Sequence, residues 1–131
     1  MSIIKGKDLK NIKLYKVLRN DFTHYNFKYR LGKNVDILPF NPRGHCSEGG
    51  LYFSDIYYIY KFFNLGDLIV DVSIDGNEYI YVDKYKYKAH SISIFNPRKL
   101  DDIINQLYKN DINIAIQISG YTLQYAKNPK E

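Results

Sequence analysis

Asp67-Leu68-Ile69-Val70-Asp71-Val72-Ser73-Ile74-Asp75-Gly76-Asn77-Glu78-Tyr79-Ile80-Tyr81-Val82 is the stretch that decides the fold class. Leu68, Val70, Val72 and Ile74 recur at every second position, the period of a strand with one apolar face. Asp75-Gly76 is a tight-turn signal, because such residues tolerate positive φ in two-residue hairpin loops. Glu78 to Val82 then runs back. Strands joined by so short a turn pair antiparallel, since a parallel pair needs a crossover of a dozen residues or more.

Upstream of this hairpin, Ser54 suits a helix N-cap and Asp55 the first turn. Ile56, Ile59, Tyr60 and Phe63 follow the helical spacing, so a helix is predicted over 55–64, with Gly66 near a left-handed C-cap. Leu51-Tyr52-Phe53 reads as a short buried strand. Residues 33–50 contain Pro39, Pro42, Gly44, Gly49 and Gly50 and read as a long ordered loop, of a length that in small domains tends to be functional or floppy. Phe27 to Leu31 alternates and stops at Gly32, and Ile12 to Leu18 gives the first strand.

Downstream, Lys84 to Lys88 leads into the strand Ser91 to Phe95. Asn96 and Pro97 open a second helix, with Leu100, Ile103, Ile104 and Leu107 as its buried stripe. Ile112, Ile114, Ile116 and Ile118 alternate as a strand, and Tyr121 to Tyr125 forms a last one. The predicted class is α+β: a mainly antiparallel sheet of about seven strands with two helices. Residues 1–126 form a single domain and 127–131 a C-terminal tail. No strand leads into a Gly-rich phosphate fingerprint, so dinucleotide-fold and P-loop readings fail.

A chain of 131 residues fits one domain. Its 45% hydrophobic and 25% charged content is ordinary for a globular protein. No apolar run approaches the roughly 18 residues of a membrane span, and the start has no signal-peptide core. Cys46 is the single cysteine, which excludes an internal disulfide and multi-cysteine zinc sites. The expected location is therefore intracellular, not secreted, with no membrane partner. Ile, Lys, Asn and Tyr supply 58 of 131 residues and Ala only three, the imprint of an A/T-rich genome. The net charge of +5 is unevenly placed. Residues 1–33 carry nine Lys/Arg against two Asp, residues 34–83 two against eight acids, and residues 84–131 eight against four. A polyanion surface would have to come from the two ends of the chain.

Gly50-Leu51-Tyr52-Phe53-Ser54-Asp55 resembles the Gly-x-Tyr-Phe-x-Asp motif of poly(ADP-ribose) polymerase-type ADP-ribosyltransferases. The resemblance implies that Tyr52 packs on the nicotinamide of NAD, with Phe63, eleven residues on, stacking against it. Gly50 would let the backbone approach the cofactor. Asn77-Glu78-Tyr79-Ile80 resembles the segment bearing that family's catalytic Glu, and His24 corresponds to its ribose-binding His. Departures are visible: Tyr25 follows His24 where the family has Gly, and Tyr60 stands where it has Ser. This implies the alternative of a reduced ADP-ribosyltransferase-like fold with Glu78 and His24 catalytic and NAD as cofactor.

A second resemblance covers more residues. Phe22 to Asp36, Leu38-Pro39-Phe40-Asn41-Pro42, Cys46, Gly49 to Phe53 and Lys86-Tyr87-Lys88-Ala89 are similar to an uncharacterised module of giant mimivirus-like viruses, often found before ankyrin repeats. It implies a binding or protein-interaction module acting on a host or viral protein, in the infected cell's cytoplasm or in the virion, with no cofactor. The expected contact surface is the loop 39–50 with the aromatic strand after it.

Two constellations remain. Lys84, Lys86 and Lys88 alternate with Tyr85 and Tyr87, which on one strand would align three ammoniums for a phosphate backbone and allow weak nonspecific nucleic-acid binding. The competing reading is an edge strand protected by lysines. His45-Cys46 beside Glu48 reads as a structural pair, because adjacent residues chelate poorly and nothing marks a catalytic base; no metal is expected.

Overall fold

The computed structural model describes residues 2–43 and 48–107. Ten strands appear in chain order: β1 (Ser2–Lys5), β2 (Leu14–Leu18), β3 (Thr23–His24), β4 (Phe27–Lys28), β5 (Gly32–Val35), β6 (Leu51–Asp55), β7 (Leu68–Ser73), β8 (Tyr79–Asp83), β9 (Lys86–Ala89) and β10 (Ser91–Lys99). Short 3-10 helices span Gly6–Leu9 and Ile59–Leu65, and one α-helix, α1, covers Leu100–Leu107. Eight strands form one sheet in the order β1-β8-β9-β6-β2-β7-β10-β5, and β3 and β4 form a separate hairpin. All the pairings are antiparallel. The α+β class with a mainly antiparallel sheet is the observed one.

Connectivity forces this sheet to curl. β9 and β10 lie four places apart in the sheet order, yet only His90 separates them in the chain. Four inter-strand spacings in a flat sheet measure about 19 Å. Two residue steps reach only about 7 Å. The curled sheet encloses a core of Leu14, Leu18, Phe53, Val70, Ile80, Ala89, Ile92 and Ile94. On the other face of β2 and β7, Tyr15, Val17 and Ile69 pack against Ile59, Tyr60 and Phe63 of the second 3-10 helix and against Leu100 of α1. Both faces of β2 are thus covered, and all five of its residues are buried, Lys16 among them.

Several boundaries differ from the sequence expectation. The helix predicted over 55–64 begins only at Ile59, as 3-10 turns. Ser54 is still in β6 and donates its hydroxyl to the Tyr85 carbonyl (2.6 Å). Asp55 makes the turn instead, its Oδ1 accepting from the amides of Tyr57 and Tyr58. Gly66 is extended rather than left-handed (φ 177°). It is required for space: a Cβ there would lie 2.1 Å from the Leu18 carbonyl oxygen. Asn96 does not cap a helix. It takes φ 57° inside a register irregularity of β10, and the strand resumes at Arg98, whose guanidinium pairs with Asp71 (2.5 Å). β1, β3 and β5 carry too little apolar alternation to be foreseen. The strands predicted over 112–118 and 121–125 and the tail 127–131 lie outside the described residues.

Candidate functional site

β6 is flanked by β2 on one side and β9 on the other, and each neighbour contributes a buried lysine. β2 and β6 pair only over Leu14↔Asp55 and Tyr15↔Ser54. Beyond that the ladder stops, and the Lys16 side chain takes its place: Nζ donates to the Tyr52 carbonyl and to His24 Nδ1 (3.0 Å). Nζ also lies 5.0 Å from the centroid of the Tyr29 ring. The β3–β4 hairpin brings His24 to this point. While Nζ is an ammonium it can only donate, so Nδ1 then accepts and the imidazole proton lies on Nε2, a buried atom with no hydrogen-bond partner among the described residues.

A cavity of about 180 Å³ opens here. Lys16, His24, Lys86 and Ser54 supply its polar groups, and no described carboxylate lines it. Its walls are otherwise apolar, from Val17, Ile59, Phe62 and Leu65 with the rings of Tyr25 and Tyr52. Lys86 Nζ sits 4.4 Å from the Tyr52 ring centroid. Lys16 is only 3% exposed. Burial first, and the Lys86 ammonium second, bring its pKa down to about 7. Burial, then the charges of Lys16, Arg19 and Lys86, bring His24 down to about 3, so it is a neutral imidazole at physiological pH.

A second, larger recess of about 460 Å³ lies between the β3–β4 hairpin and the loop from Asp36 to Gly50. Asp36 Oδ2 accepts from the Gly50 amide (2.7 Å), and Asn41 N donates to the Gly49 carbonyl (2.7 Å). Lys88 fastens the same loop from below: its Nζ donates to the carbonyls of Asn41 (2.8 Å), Arg43 (3.1 Å) and Glu48 (3.3 Å). Gly49 and Gly50 have φ 91° and 133°. A Cβ at Gly49 would lie 2.4 Å from the Pro39 carbonyl oxygen, and one at Gly50 2.6 Å from Lys88 Cγ. Positive φ and close packing therefore coincide at both glycines. At the rim stand exposed apolar side chains, Tyr25 at 61% and Ile37 at 91% exposure, with Leu38 beside them.

Of the residues singled out in the sequence, His24, Tyr52 and Lys86 converge on the first cavity, and His24, Gly50 and Tyr52 on the second. Glu78 lies at neither. It precedes β8, its Oε1 accepts from Ser91 Oγ (3.0 Å), and its carbonyl accepts from the Gly6 amide. Phe63 is buried in the second core cluster, and the neighbouring Phe62 is the ring that lines the cavity. The convergence of His24, Tyr52 and Glu78 expected of a transferase is therefore met by the first two alone.

The lysine alternation is also broken. Lys84-Tyr85 is the two-residue turn of the β8–β9 hairpin, since Asp83 pairs with Lys86. Lys84 is exposed, Lys86 is half-buried, and Lys88 is 0% exposed, its Nζ turned onto the carbonyls of Asn41, Arg43 and Glu48. The three ammoniums do not share one solvent face. His45 and Cys46 lie outside the described residues. Among the described residues no cluster of three or more His, Cys, Asp or Glu could hold a metal ion, and no helix is long and apolar enough to cross a membrane. Sequence reasoning missed Lys16. The available signal was a lysine at the centre of an otherwise apolar strand, between Leu14 and Leu18.

Three ankyrin repeat proteins of Acanthamoeba polyphaga mimivirus resemble the chain. One is 40% identical over 80 residues, covering 55% of this chain and 24% of that protein. A second is 29% identical over 106 residues, covering 74% of this chain and 34% of that protein. A third is 35% identical over 98 residues, covering 69% of this chain and 49% of that protein. The chain thus spans half or less of the length of these relatives. Their similarity supports a giant-virus origin. No protein-family model matches the sequence. No solved structure matches it either.

Proposed function

We propose that the chain is a giant-virus protein-interaction module, and that it binds a host or viral protein through the recess between the β3–β4 hairpin and the Asp36–Gly50 loop. One observation carries this reading: exposed Tyr25, Ile37 and Leu38 ring a recess whose loop is fastened by Lys88 and Asp36. Contiguous apolar exposure on a folded surface marks interaction sites. Asp36, Asn41, Arg43 and Glu48 to Gly50, held by these bonds, lose little entropy on binding, so more of the contact energy appears as affinity. The partner offers apolar side chains, since those are what the rim leaves uncovered. The ankyrin-repeat naming of the similar mimivirus proteins supports the same class of role. The site of action is the infected host cell or the virion.

The test uses a tagged chain expressed in infected amoebae, alongside an Ile37→Asp/Tyr25→Asp variant. A protein retained by the former and lost by the latter is then purified and titrated directly. The expected result is an affinity at least tenfold weaker for the variant, with an unchanged melting temperature. Equal affinity for both chains would remove this surface from the function. NAD has no place in this reading, because Glu78 and Phe63 stand away from Tyr52's cavity. Calorimetry at millimolar NAD is expected to show no binding, and binding lost in Tyr52→Ala would restore the transferase alternative.

A further inference from the structure

The cavity beside Lys16 adjoins the recess under the Ile37 rim, with His24, Tyr25 and Tyr52 lining both, but it has its own chemistry. Lys16 leaves the inward face of β2 and is enclosed, yet the partners of its Nζ are neutral: the Tyr52 carbonyl, an imidazole nitrogen and the face of the Tyr29 ring. A second ammonium, Lys86, lines the same space. Apart from His24 and Ser54 the remaining wall is hydrocarbon and aromatic, with no described carboxylate. A protonated amine here has lost most of its water and gained a like charge, and both effects favour the free base. A lysine desolvated beside another cation is a recognised way to make an amine nucleophilic near neutral pH.

From this geometry we infer that Lys16 is a carbonyl-reactive amine, and that the cavity takes a small aldehyde or ketone with an apolar body. The Nζ lone pair attacks the carbonyl carbon while the C=O π pair moves onto oxygen. Transfer of a proton from nitrogen to that oxygen gives a carbinolamine. Loss of water leaves an imine between Nζ and the former carbonyl carbon, so amine plus carbonyl gives imine plus water, with nothing oxidised or reduced. His24 is a positioning residue: its Nδ1 accepts from Nζ and orients the amine. Lys86 disfavours protonation of Nζ. The groups around Nζ are His24 on β3, Tyr29 after β4, Tyr52 on β6 and Lys86 on β9. Among them Lys86 supplies the charge that acts on Lys16, and burial supplies the larger part of the shift to about 7.

The experiment incubates the intact chain with benzaldehyde and sodium cyanoborohydride at pH 7. Hydride from the borohydride reduces any imine to a stable secondary amine, and peptide mass spectrometry locates the added benzyl group. At that pH an amine of pKa near 7 is about half unprotonated, against roughly four in ten thousand for an ordinary lysine. Lys16 is expected to be modified at least tenfold faster than the exposed Lys7, Lys10 and Lys84, with a rate that levels off above pH 8. Lys16→Arg is expected to remove that label and leave the others. If the variant does not fold, the unaltered chain still decides. Lys16 left unmodified while exposed lysines react, modified no faster than they are, or modified only after unfolding in urea, would overturn the inference.

Discussion

Lys16 and Lys88 occupy strands on opposite sides of β6, and both are removed from water, but their surroundings differ in kind. Lys88 Nζ meets three carbonyl oxygens of one loop, which substitute for hydration and tie residues 41, 43 and 48 to the sheet. Lys16 Nζ meets one carbonyl, one imidazole and an aromatic face, with a cavity and the Lys86 ammonium alongside. A fully satisfied buried cation organises structure. A partly satisfied one is held in a state that a ligand or a change of pH can alter. The same residue type, two strands apart, is thus a fastener in one place and a reactive group in the other.

The largest expected effect falls on the fastener. Lys88→Met keeps the stem and removes the donor, leaving three carbonyls of the covering loop without it. Leaving buried acceptors unmade costs about 1–3 kcal/mol each when water cannot replace the donor. Since some water will reach a loop, a net loss of about 3 kcal/mol is expected by urea denaturation. A loss below about 1 kcal/mol would break the distinction between the two lysines.

Gly50→Val tests the same region from the other side. Its Cβ would meet the Lys88 stem at 2.6 Å, and φ 133° is strained for any residue with a Cβ. A loss of about 2 kcal/mol is expected, above the ~1 kcal/mol of a propensity change alone. In a Lys88→Ala background the steric part vanishes, so the two costs should be less than additive. Full additivity in a thermodynamic cycle would show that Gly50 does not act through Lys88.

For Lys16 the informative quantity is a slope. Its folded pKa is about 7, below the ordinary lysine value of 10.5, so between those pH values the unfolded chain binds more protons. Stability therefore rises with pH across that window, by at most about 1.4 kcal/mol per unit. Below pH 7 the full cost of the buried charge is present, and it is relieved as pH rises. Lys16→Met is expected to change stability little at pH 7, since loss of an unpaired charge offsets two lost hydrogen bonds. The variant should flatten the rise between pH 7 and 10. Parallel pH profiles for both chains would show that Lys16 stays protonated.

The sequence made β7 and β8 legible as strands through their apolar alternation, but the hairpin expected about Asp75-Gly76 does not form: β7 pairs with β2 and β10, and β8 with β1 and β9, so the turn crosses between distant parts of the curled sheet. It made Gly49 and Gly50 legible because only glycine serves where positive φ and close packing coincide. The helix over 55–64 was misplaced because Ile56, Ile59, Tyr60 and Phe63 satisfy helical spacing in 3-10 turns nearly as well over so short a run. His24 and Tyr52 were found through motif wording, but their convergence depends on the curl of the sheet and the β3–β4 hairpin, which pair residues far apart in the chain. Lys16 left one local trace, a cation at the centre of an apolar strand, whereas Lys88 was invisible as a buried group. In a sequence with 15 lysines, nothing local distinguishes a lysine that a distant loop covers from one in water.

The smallest effect concerns the outermost lysines and sharpens the comparison at its edge. Lys84 is exposed at the β8–β9 turn, and Lys5, on the basic first third, pairs with Tyr79 at the other end of β8. Five residues of strand separate them by roughly 15 Å. That is about twice the Debye length at 0.15 M salt, so the two groups do not act as one patch on a phosphate chain at physiological ionic strength. Weak, sequence-independent oligonucleotide binding is expected at low salt and none near 150 mM, by fluorescence anisotropy. Lys84→Ala should reduce the log–log salt slope by about 0.7–0.9, one phosphate contact's share. Lys86→Ala should do no more than that to binding, yet raise the pKa of Lys16 by removing the neighbouring cation. Tight binding at 150 mM that Lys84→Ala and Lys86→Ala abolish would make nucleic acid the partner and recast Lys86 as a phosphate contact rather than the cation that tunes Lys16.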